Sequence, residues 1–274
     1  MWISRWITST FSTASALYRH VVRLLHPTTG PEVDVSDIHL DLERPPPPGR
    51  PWVMLNMVAS VDGATTVQGL SSRLGGAGDR QVFRTLRGLA DMILVGAGTV
   101  RAEGYRPPRT PDGSLASARA TAGQPVRPRL VVVSARLDLD PAAPLFTERL
   151  PEDQPPLIAT VRSAPADRRD ALADVADLID LGGTRVDLTG LLATLRDIGA
   201  RTVLCEGGPH LNHQLLAAGL VDELCLTISP NLVGGAGTAG PGLLAGGAFA
   251  VPSGLRLDRV LAHDDFLFCR YLVV

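Results

Sequence analysis

Lysine is absent from this sequence: all 26 basic side chains among its 274 residues are arginine. Neither a Schiff-base lysine nor the lysine of a Walker-type phosphate loop is available, so chemistry that depends on either is excluded. No charge of either sign accumulates, since the net charge is only -2 and no basic block occurs. A nucleic-acid partner is therefore not expected, because neutralising phosphates needs a dense basic face. Cysteine is scarce as well. Cys205, Cys225 and Cys269 each sit in an apolar, strand-like run and read as small buried hydrophobes of a reduced, cytoplasmic protein. With no C-x-x-C pair and no histidines at matching intervals, no metal site is expected. No apolar run is long enough to span a bilayer, so stable membrane insertion is not expected either. What is present is a hydrophobic content of 45%, enough for a sizeable core around a small-molecule site.

The chain divides at its prolines. Pro45 to Pro48, followed by Gly49 and Pro51, cannot be helix or central strand, and places a boundary between residues 1–50, an N-terminal extension and linker, and residues 51–274. Met1 to His26 contains Arg5, Arg19 and Arg23 but no acid, a composition open to a targeting segment, a surface helix or a poorly ordered extension. After the boundary, strand and helix signals alternate. Strands are expected at Trp52–Ala59, Met92–Val95, Leu130–Val133, Leu157–Val161, Leu178–Leu181, Thr202–Cys205 and Glu223–Ile228. Helices are expected over Asp79–Ala90, after Pro165, from the cap Asp187 through Leu188, Leu191, Leu192, Leu195 and Ile198 to a stop at Gly199, and from Pro209 to near Gly219. The stretch from Gly104 to Pro128 reads as a long loop, and a glycine-rich loop runs through Gly247. Gly254–Leu261 and Phe266–Val273, joined at His263-Asp264-Asp265, read as an antiparallel hairpin. The fold class is α/β: a mixed, mainly parallel central sheet flanked by helices on both faces, with a C-terminal antiparallel hairpin. Ligands of such sheets bind beyond the carboxyl ends of the strands.

Two segments carry the physics of anion binding at such an edge. In Met92-Ile93-Leu94-Val95-Gly96-Ala97-Gly98-Thr99 a buried strand runs into a glycine turn and a helix start, whose amides can face a pyrophosphate. The conventional dinucleotide fingerprint does not fit, because the third glycine and the ribose-binding acid are missing. In Cys205-Glu206-Gly207-Gly208-Pro209-His210-Leu211 the same arrangement carries a carboxylate at the strand end, and Pro209 as the first helical residue leaves the amides of His210 and Leu211 facing outward. Ser60-Val61-Asp62-Gly63 ends the first strand with a common turn pair. Ser134 and Arg136 follow directly on another strand, a hydroxyl and a guanidinium suited to an adenosine 2′-phosphate. Arg80, Arg84 and Arg87 share a helix face; the first two read as a solvated basic face, Arg87 as a ligand-binding side chain.

Taken in order, Ala59-Ser60-Val61-Asp62-Gly63, Ile93 through Val100, Glu206-Gly207-Gly208-Pro209 and Leu220-Val221-Asp222-Glu223-Leu224 resemble the successive motifs of the RibD C-terminal reductase family. The resemblance implies a dihydrofolate-reductase-like fold, a homodimer, NADPH as cofactor, and reduction of a phosphoribosylamino-pyrimidine, of the 5-amino-6-(5-phosphoribosylamino)uracil type, to its ribityl form in riboflavin biosynthesis. By position it puts cofactor contacts on Ala59, Leu74, Thr99, Glu103, Ser134 and Gly208 through Leu211, and substrate contacts on Ser72, Arg87, Arg109 and Glu206. Because hydride passes directly to an imine-like carbon, the protein must supply alignment and a proton rather than a nucleophile. Glu206 is the first candidate for polarising the substrate and Asp62 the second.

The chain also departs from the family, with Asn56 where many members carry Lys, Leu74 for an aromatic, and Glu103-Gly104-Tyr105 for Asp-Asp-Pro. The H-x-E and P-C-x-x-C signatures of the deaminase fused to many relatives are absent. The altered substrate side keeps reduction of dihydrofolate or another pterin open, and a non-catalytic NADPH-binding module forms a third alternative.

Overall fold

Alternate residues of one strand face two different cores, and this is what makes the sheet a central layer. Val53, Leu55, Met92, Leu94 and Val131 pack in one cluster, while Met54 packs in a second and Ile93, Val95, Leu130 and Val132 in a third. A strand apolar at successive positions has both faces covered, as parallel strands do. The computed structural model describes residues 21–234 and 242–274. Residues 1–20, for which a targeting segment or surface helix was weighed, lie outside the described residues, as does part of the glycine-rich loop, residues 235–241.

The elements run in chain order as β1 (Val21–His26), β2 (Glu32–Asp34), α1 (Val35–Leu40), β3 (Trp52–Ser60), α2 (Ala77–Leu89), β4 (Met92–Gly96), α3 (Ala97–Glu103), α4 (Gly113–Thr121), β5 (Arg129–Val133), α5 (Pro144–Thr147), β6 (Leu157–Thr160), α6 (Ala166–Leu172), β7 (Asp177–Asp180), α7 (Leu188–Asp197), β8 (Thr202–Cys205), α8 (Pro209–Ala217), β9 (Glu223–Ser229), β10 (Leu255–His263) and β11 (Phe266–Val273). The strands form one sheet in the order β2-β1-β10-β11-β9-β3-β8-β4-β5-β6-β7. All neighbours from β9 to β7 are parallel, and those from β2 to β9 antiparallel. One face is covered by α7 and α8. The other is covered by α1 and α2 over one half and by α3, α5 and α6 over the other. No helix among the described residues is long and apolar enough to cross a membrane.

The C-terminal hairpin turns at Asp264 and Asp265, both with positive φ (47° and 67°), the conformation that a two-residue connection between twisted strands requires. Helix α7 is capped as its sequence implies, the Asp187 carboxylate accepting from the amides of Thr189 and Gly190. Its buried face is Leu188, Leu191, Leu192 and Leu195. Ile198, expected on that face, is the C-cap residue and is 51% exposed, because the helical rotation has ended before it.

Two further expectations are corrected. The stretch Gly104–Pro128 is not all loop, since it contains α4. Of this helix only Leu115 and Arg119 are buried, so it lacks the apolar stripe by which helices are recognised. It is held instead by Arg119, whose guanidinium donates to the carbonyls of Gly88 and Ala90 at the end of α2 and to that of Pro125. The segment before Pro51, read as an extension and linker, contributes β1, β2 and α1 to the sheet and its cover.

The link between that segment and the sheet is electrostatic and buried. Glu223, fully buried on β9, accepts from Arg44 (Nε and Nη2, both 3.0 Å), from Arg270 Nη2 on β11 (2.9 Å) and from the Trp52 indole (3.1 Å). Burial pushes its carboxyl up, but the two guanidiniums outweigh this and hold its pKa at about 2. Next to it, burial first and Arg44 second lower the His39 imidazole from 6.5 to about 3. Removing one partner of such a cluster strands uncompensated buried charge. Glu223→Ala is accordingly expected to lower stability by about 3 kcal/mol, read from the urea midpoint at neutral pH. Between pH 6.5 and about 3 the unfolded chain binds a proton at His39 that the folded chain refuses, and below pH 4.5 the same holds for Glu223 down to about 2. Stability should therefore fall steadily as pH is lowered through these windows, and a flat profile from pH 7 to pH 4 would contradict the assignment.

Candidate active site

Strands β4 and β8 are parallel neighbours, so their carboxyl ends, and the two glycine turns that follow them, emerge side by side. The Glu206 amide donates to the Leu94 carbonyl (2.9 Å), and the Gly96 amide donates to the Gly207 carbonyl (2.7 Å). Gly207 has φ +85°, a left-handed conformation that favours glycine, and the Gly207–Gly208 peptide is cis. A Cβ on Gly208 would stand 2.7 Å from Thr99 Oγ1, so the start of α8 can approach α3 this closely only without a side chain. Pro209 is the first residue of α8, and the amides that follow it lack intrahelical acceptors.

These turns border a cleft of about 750 Å³, lined from α2 by Asp79, Arg80, Phe83 and Arg87, from α3 by Gly98, Thr99 and Glu103, and from the β8–α8 turn by Glu206, Gly208 and Pro209. The volume is that of a small-molecule site. Glu206 does not stand free in it. Arg87 donates to it through Nε and Nη2, both at 2.7 Å, in a two-pronged ion pair, and the Tyr105 hydroxyl donates at 2.5 Å. The guanidinium lies over the Phe83 ring (4.2 Å) and near that of Tyr105 (5.5 Å). Burial and the Glu206 charge raise the Tyr105 phenol well above its usual range, so it keeps its proton and donates a hydrogen bond to Glu206.

Ser72, Arg109 and Thr99 join Arg87 and Glu206 on the cleft wall, as their positions imply. Glu103 also reaches the wall, but its carboxylate accepts from the amide and the hydroxyl of Ser71 (both 2.8 Å) and so ties the loop before α2 to α3. Ala59, Leu74 and Leu211 are buried (7%, 1% and 5% exposed) and do not line the cleft; any contact they make there is by backbone. Gly207 is buried behind Gly208, and His210 is exposed on α8 outside the lining. Ser134 and Arg136 follow β5, next to β4 at the same sheet edge, but outside the cleft proper; Ser134 is buried and Arg136 exposed. Asp62 is not brought to the cleft. Its carboxylate accepts from Ser60 Oγ and from the amides of Val233 and Gly234, and these bonds, Ser60 first, lower its pKa to about 2. At neutral pH it is an ionised clasp between two loops and has no proton to give.

The helix α2 holds what was not anticipated. Arg80, read as part of a solvated face, borders the cleft, and neither it nor Arg109 forms a salt bridge among the described residues. Asp79 and Phe83 join Arg87 at intervals of four along one face, a spacing visible in the sequence but overlooked there because the arginines were taken as the pattern. Tyr105 stood in the sequence only as a departure from a family motif. Among the described residues, no group of three or more His, Cys, Asp or Glu is arranged to hold a metal.

The model of the RibD C-terminal domain matches residues 51–262. A 2,5-diamino-6-ribosylamino-4(3H)-pyrimidinone 5′-phosphate reductase of Methanothermobacter thermautotrophicus is 34% identical over 186 residues, 68% of this chain and 81% of that protein. The riboflavin biosynthesis protein RibD of Chlamydia trachomatis is 31% identical over 192 residues, 69% of this chain but only 48% of that longer protein. Among solved structures, a pyrimidine reductase-like protein from Corynebacterium diphtheriae superposes with a TM-score of 0.73 at 30% identity, covering 82% of this chain and 92% of that one. The fold is thus the dihydrofolate-reductase-like one of these reductases.

The ion pair across the cleft gives a direct test of the site's electrostatics. Glu206 is 3% and Arg87 19% exposed at their side chains, so Arg87→Met leaves a buried carboxylate with Tyr105 alone. A loss of about 3 kcal/mol is expected in urea unfolding, most of it recovered in the double variant Arg87→Met with Glu206→Leu. Additive losses in the double variant would show that the two side chains do not depend on one another.

Proposed function

Because the chain belongs to the RibD C-terminal domain family, we propose that it reduces the ribosylamino group of a pyrimidine ribose phosphate with NADPH, a step of riboflavin biosynthesis. The observation that carries this reading is the bond between Gly96 and Gly207, which brings two glycine turns and a carboxylate-bearing strand end to one cleft edge. The close approach at Gly208 and the outward amides at the start of α8 fit a pyrophosphate there, with Thr99 beside it. A hydroxyl and a guanidinium at Ser134 and Arg136, one strand over at the same sheet edge, support a reading with a 2′-phosphate and so NADPH over NADH. When bound, the reduced nicotinamide supplies the hydride.

The chain's own residues then orient the acceptor. Glu206, held by Arg87 and Tyr105, presents a fixed acceptor edge to the substrate's N–H or hydroxyl groups. The phosphate goes to Arg80 and Arg109, which form no salt bridge among the described residues, rather than to Arg87, whose fork Glu206 occupies. The archaeal relative, most of whose length this chain spans, is named for the diaminopyrimidinone, so we take that compound as the substrate, its deaminated uracil counterpart being the competing form. The assembly we infer is a homodimer.

Purified protein is expected to oxidise NADPH with the diamino compound faster than with the uracil form or with dihydrofolate. Turnover of dihydrofolate alone, or of none of the three, would sink the reading. Glu206→Gln should lower kcat by about 100-fold with NADPH affinity changed less than about threefold. Replacing both Ser134 and Arg136 by Ala should cut the preference for NADPH over NADH about tenfold, measured as the ratio of kcat/KM.

A further inference from the structure

Reduction of a ribosylamine consumes a proton as well as a hydride. The furanose ring must open, so the bond from C1′ to the ring oxygen breaks and that oxygen must be protonated. The chain contains no lysine to do this, and no histidine lines the cleft. Of the carboxyl groups that do, Glu206 accepts three hydrogen bonds, Glu103 is committed to Ser71, and Glu148 is paired with Arg106. Asp79 remains. It stands in the first turn of α2, two turns from Arg87 on the same face, or about 12 Å along the axis, which leaves room for a ribose between them. Its neighbour Arg80 is a cleft cation without a salt bridge among the described residues, so a phosphate bound there brings the sugar beside Asp79.

We propose that Asp79 is the proton donor of the reaction. Building on the reductase reading above, Asp79 gives its proton to the ribose ring oxygen as the C1′–O bond breaks, and the lone pair of the exocyclic nitrogen forms the C1′=N bond. C1′ then accepts hydride from the reduced nicotinamide and the C=N electron pair returns to nitrogen, leaving the ribitylamine, an oxidised nicotinamide and an Asp79 carboxylate that solvent reprotonates. The surroundings shift the carboxyl toward its acid form. Burial pushes its pKa up, against a hydrogen bond from the Thr227 hydroxyl on β9 and the charge of Arg80. Asn56, which also lines the cleft, brings no charge from β3, and His263 of β10 packs against the adjacent Gly78. The Arg87–Glu206 pair contributes no net charge.

The test uses the full chain and the diaminopyrimidinone substrate. Wild-type kcat should fall as pH rises through the Asp79 pKa, and Asp79→Asn should lower kcat by about 100-fold, abolish that alkaline limb, and leave KM and NADPH affinity within about threefold. Asp79→Glu, which keeps the acid, should retain more activity than Asp79→Asn. A readout independent of reduction is the interconversion of the substrate's C1′ anomers, followed by NMR with oxidised NADP⁺ filling the cofactor site; the wild type should accelerate it and Asp79→Asn should not. If the wild type fails to reduce the substrate, the reductase reading falls. If it does reduce it, the proposal alone is overturned by an Asp79→Asn variant with unchanged kcat, by a rise in KM only, by survival of the alkaline limb, or by a wild type that leaves anomer exchange unaccelerated.

Discussion

A single backbone hydrogen bond, from the Gly96 amide to the Gly207 carbonyl, decides where everything functional in this chain ends up. It closes the parallel pairing of β4 and β8 beyond their last regular residues, so the turns leaving the two strands are held in contact instead of diverging. Gly207 holds a left-handed backbone at this point, and a Cβ on the next residue, Gly208, would stand 2.7 Å from Thr99 Oγ1. The helices that follow inherit the arrangement, and α8 starts against Thr99 of α3. Glu206, one residue before the turn, is thereby aimed across the cleft at α2, where Arg87 meets it. The cleft is thus bounded by strand ends on one side and a helix face on the other, and a two-pronged ion pair fixes the distance between them.

The absence of lysine shapes how charge is handled throughout. A guanidinium stays protonated at every relevant pH and donates in a fixed plane, so each buried arginine here is matched to an acceptor of fixed geometry. Arg87 meets a carboxylate, Arg44 and Arg270 share Glu223, and Arg119 is satisfied by backbone carbonyls at the end of α2. Such side chains can bind, clamp and orient. They cannot release a proton in the course of a reaction. Acid chemistry in the cleft must therefore come from another group; the Tyr105 hydroxyl is directed at Glu206, and Asp79 differs from the other cleft carboxyls, which are held by an ion pair or by Ser71.

Much of the fold could be read from the sequence because it is carried by local signals. The strand runs are apolar at successive positions, the Asp187 cap is short-range, and the two acidic residues of the hairpin turn sit between alternating runs. The glycine turns were legible for the same reason, and so was their convergence once both were placed on one sheet. What escaped was held by distant or polar contacts. Helix α4 depends on Arg119 reaching carbonyls 29 and 31 residues away, and no hydrophobic periodicity announces that. The strands before Pro51 depend on Arg44 finding Glu223 across 179 residues, and the proline run that follows reads as a break although the chain returns to the same sheet. Asp62 looked chemical because Asp-Gly at a strand end is where catalytic groups also sit. Only the amides of Val233 and Gly234, far along the chain, turn it into a clasp.

The division between the two carboxyl groups that matter follows from their neighbours. Glu206 stands at a strand end with a guanidinium fork and a phenol directed at both of its oxygens, so three hydrogen bonds hold it in place. Asp79 stands in the same cleft with a hydroxyl and one unclamped arginine nearby, and burial works against its charge. The two acids of one cavity are thereby separated by their partners, Glu206 held on three hydrogen bonds and Asp79 left for the proposed proton transfer. An enzyme that must both align a sugar amine and protonate its ring oxygen needs that separation, because a single carboxyl cannot be an ionised acceptor and a proton donor in the same step. In a chain without lysine, the separation has to be built from burial and arginine alone, and α2 is the element that carries both: Arg87 to hold Glu206, and the first turn to shelter Asp79.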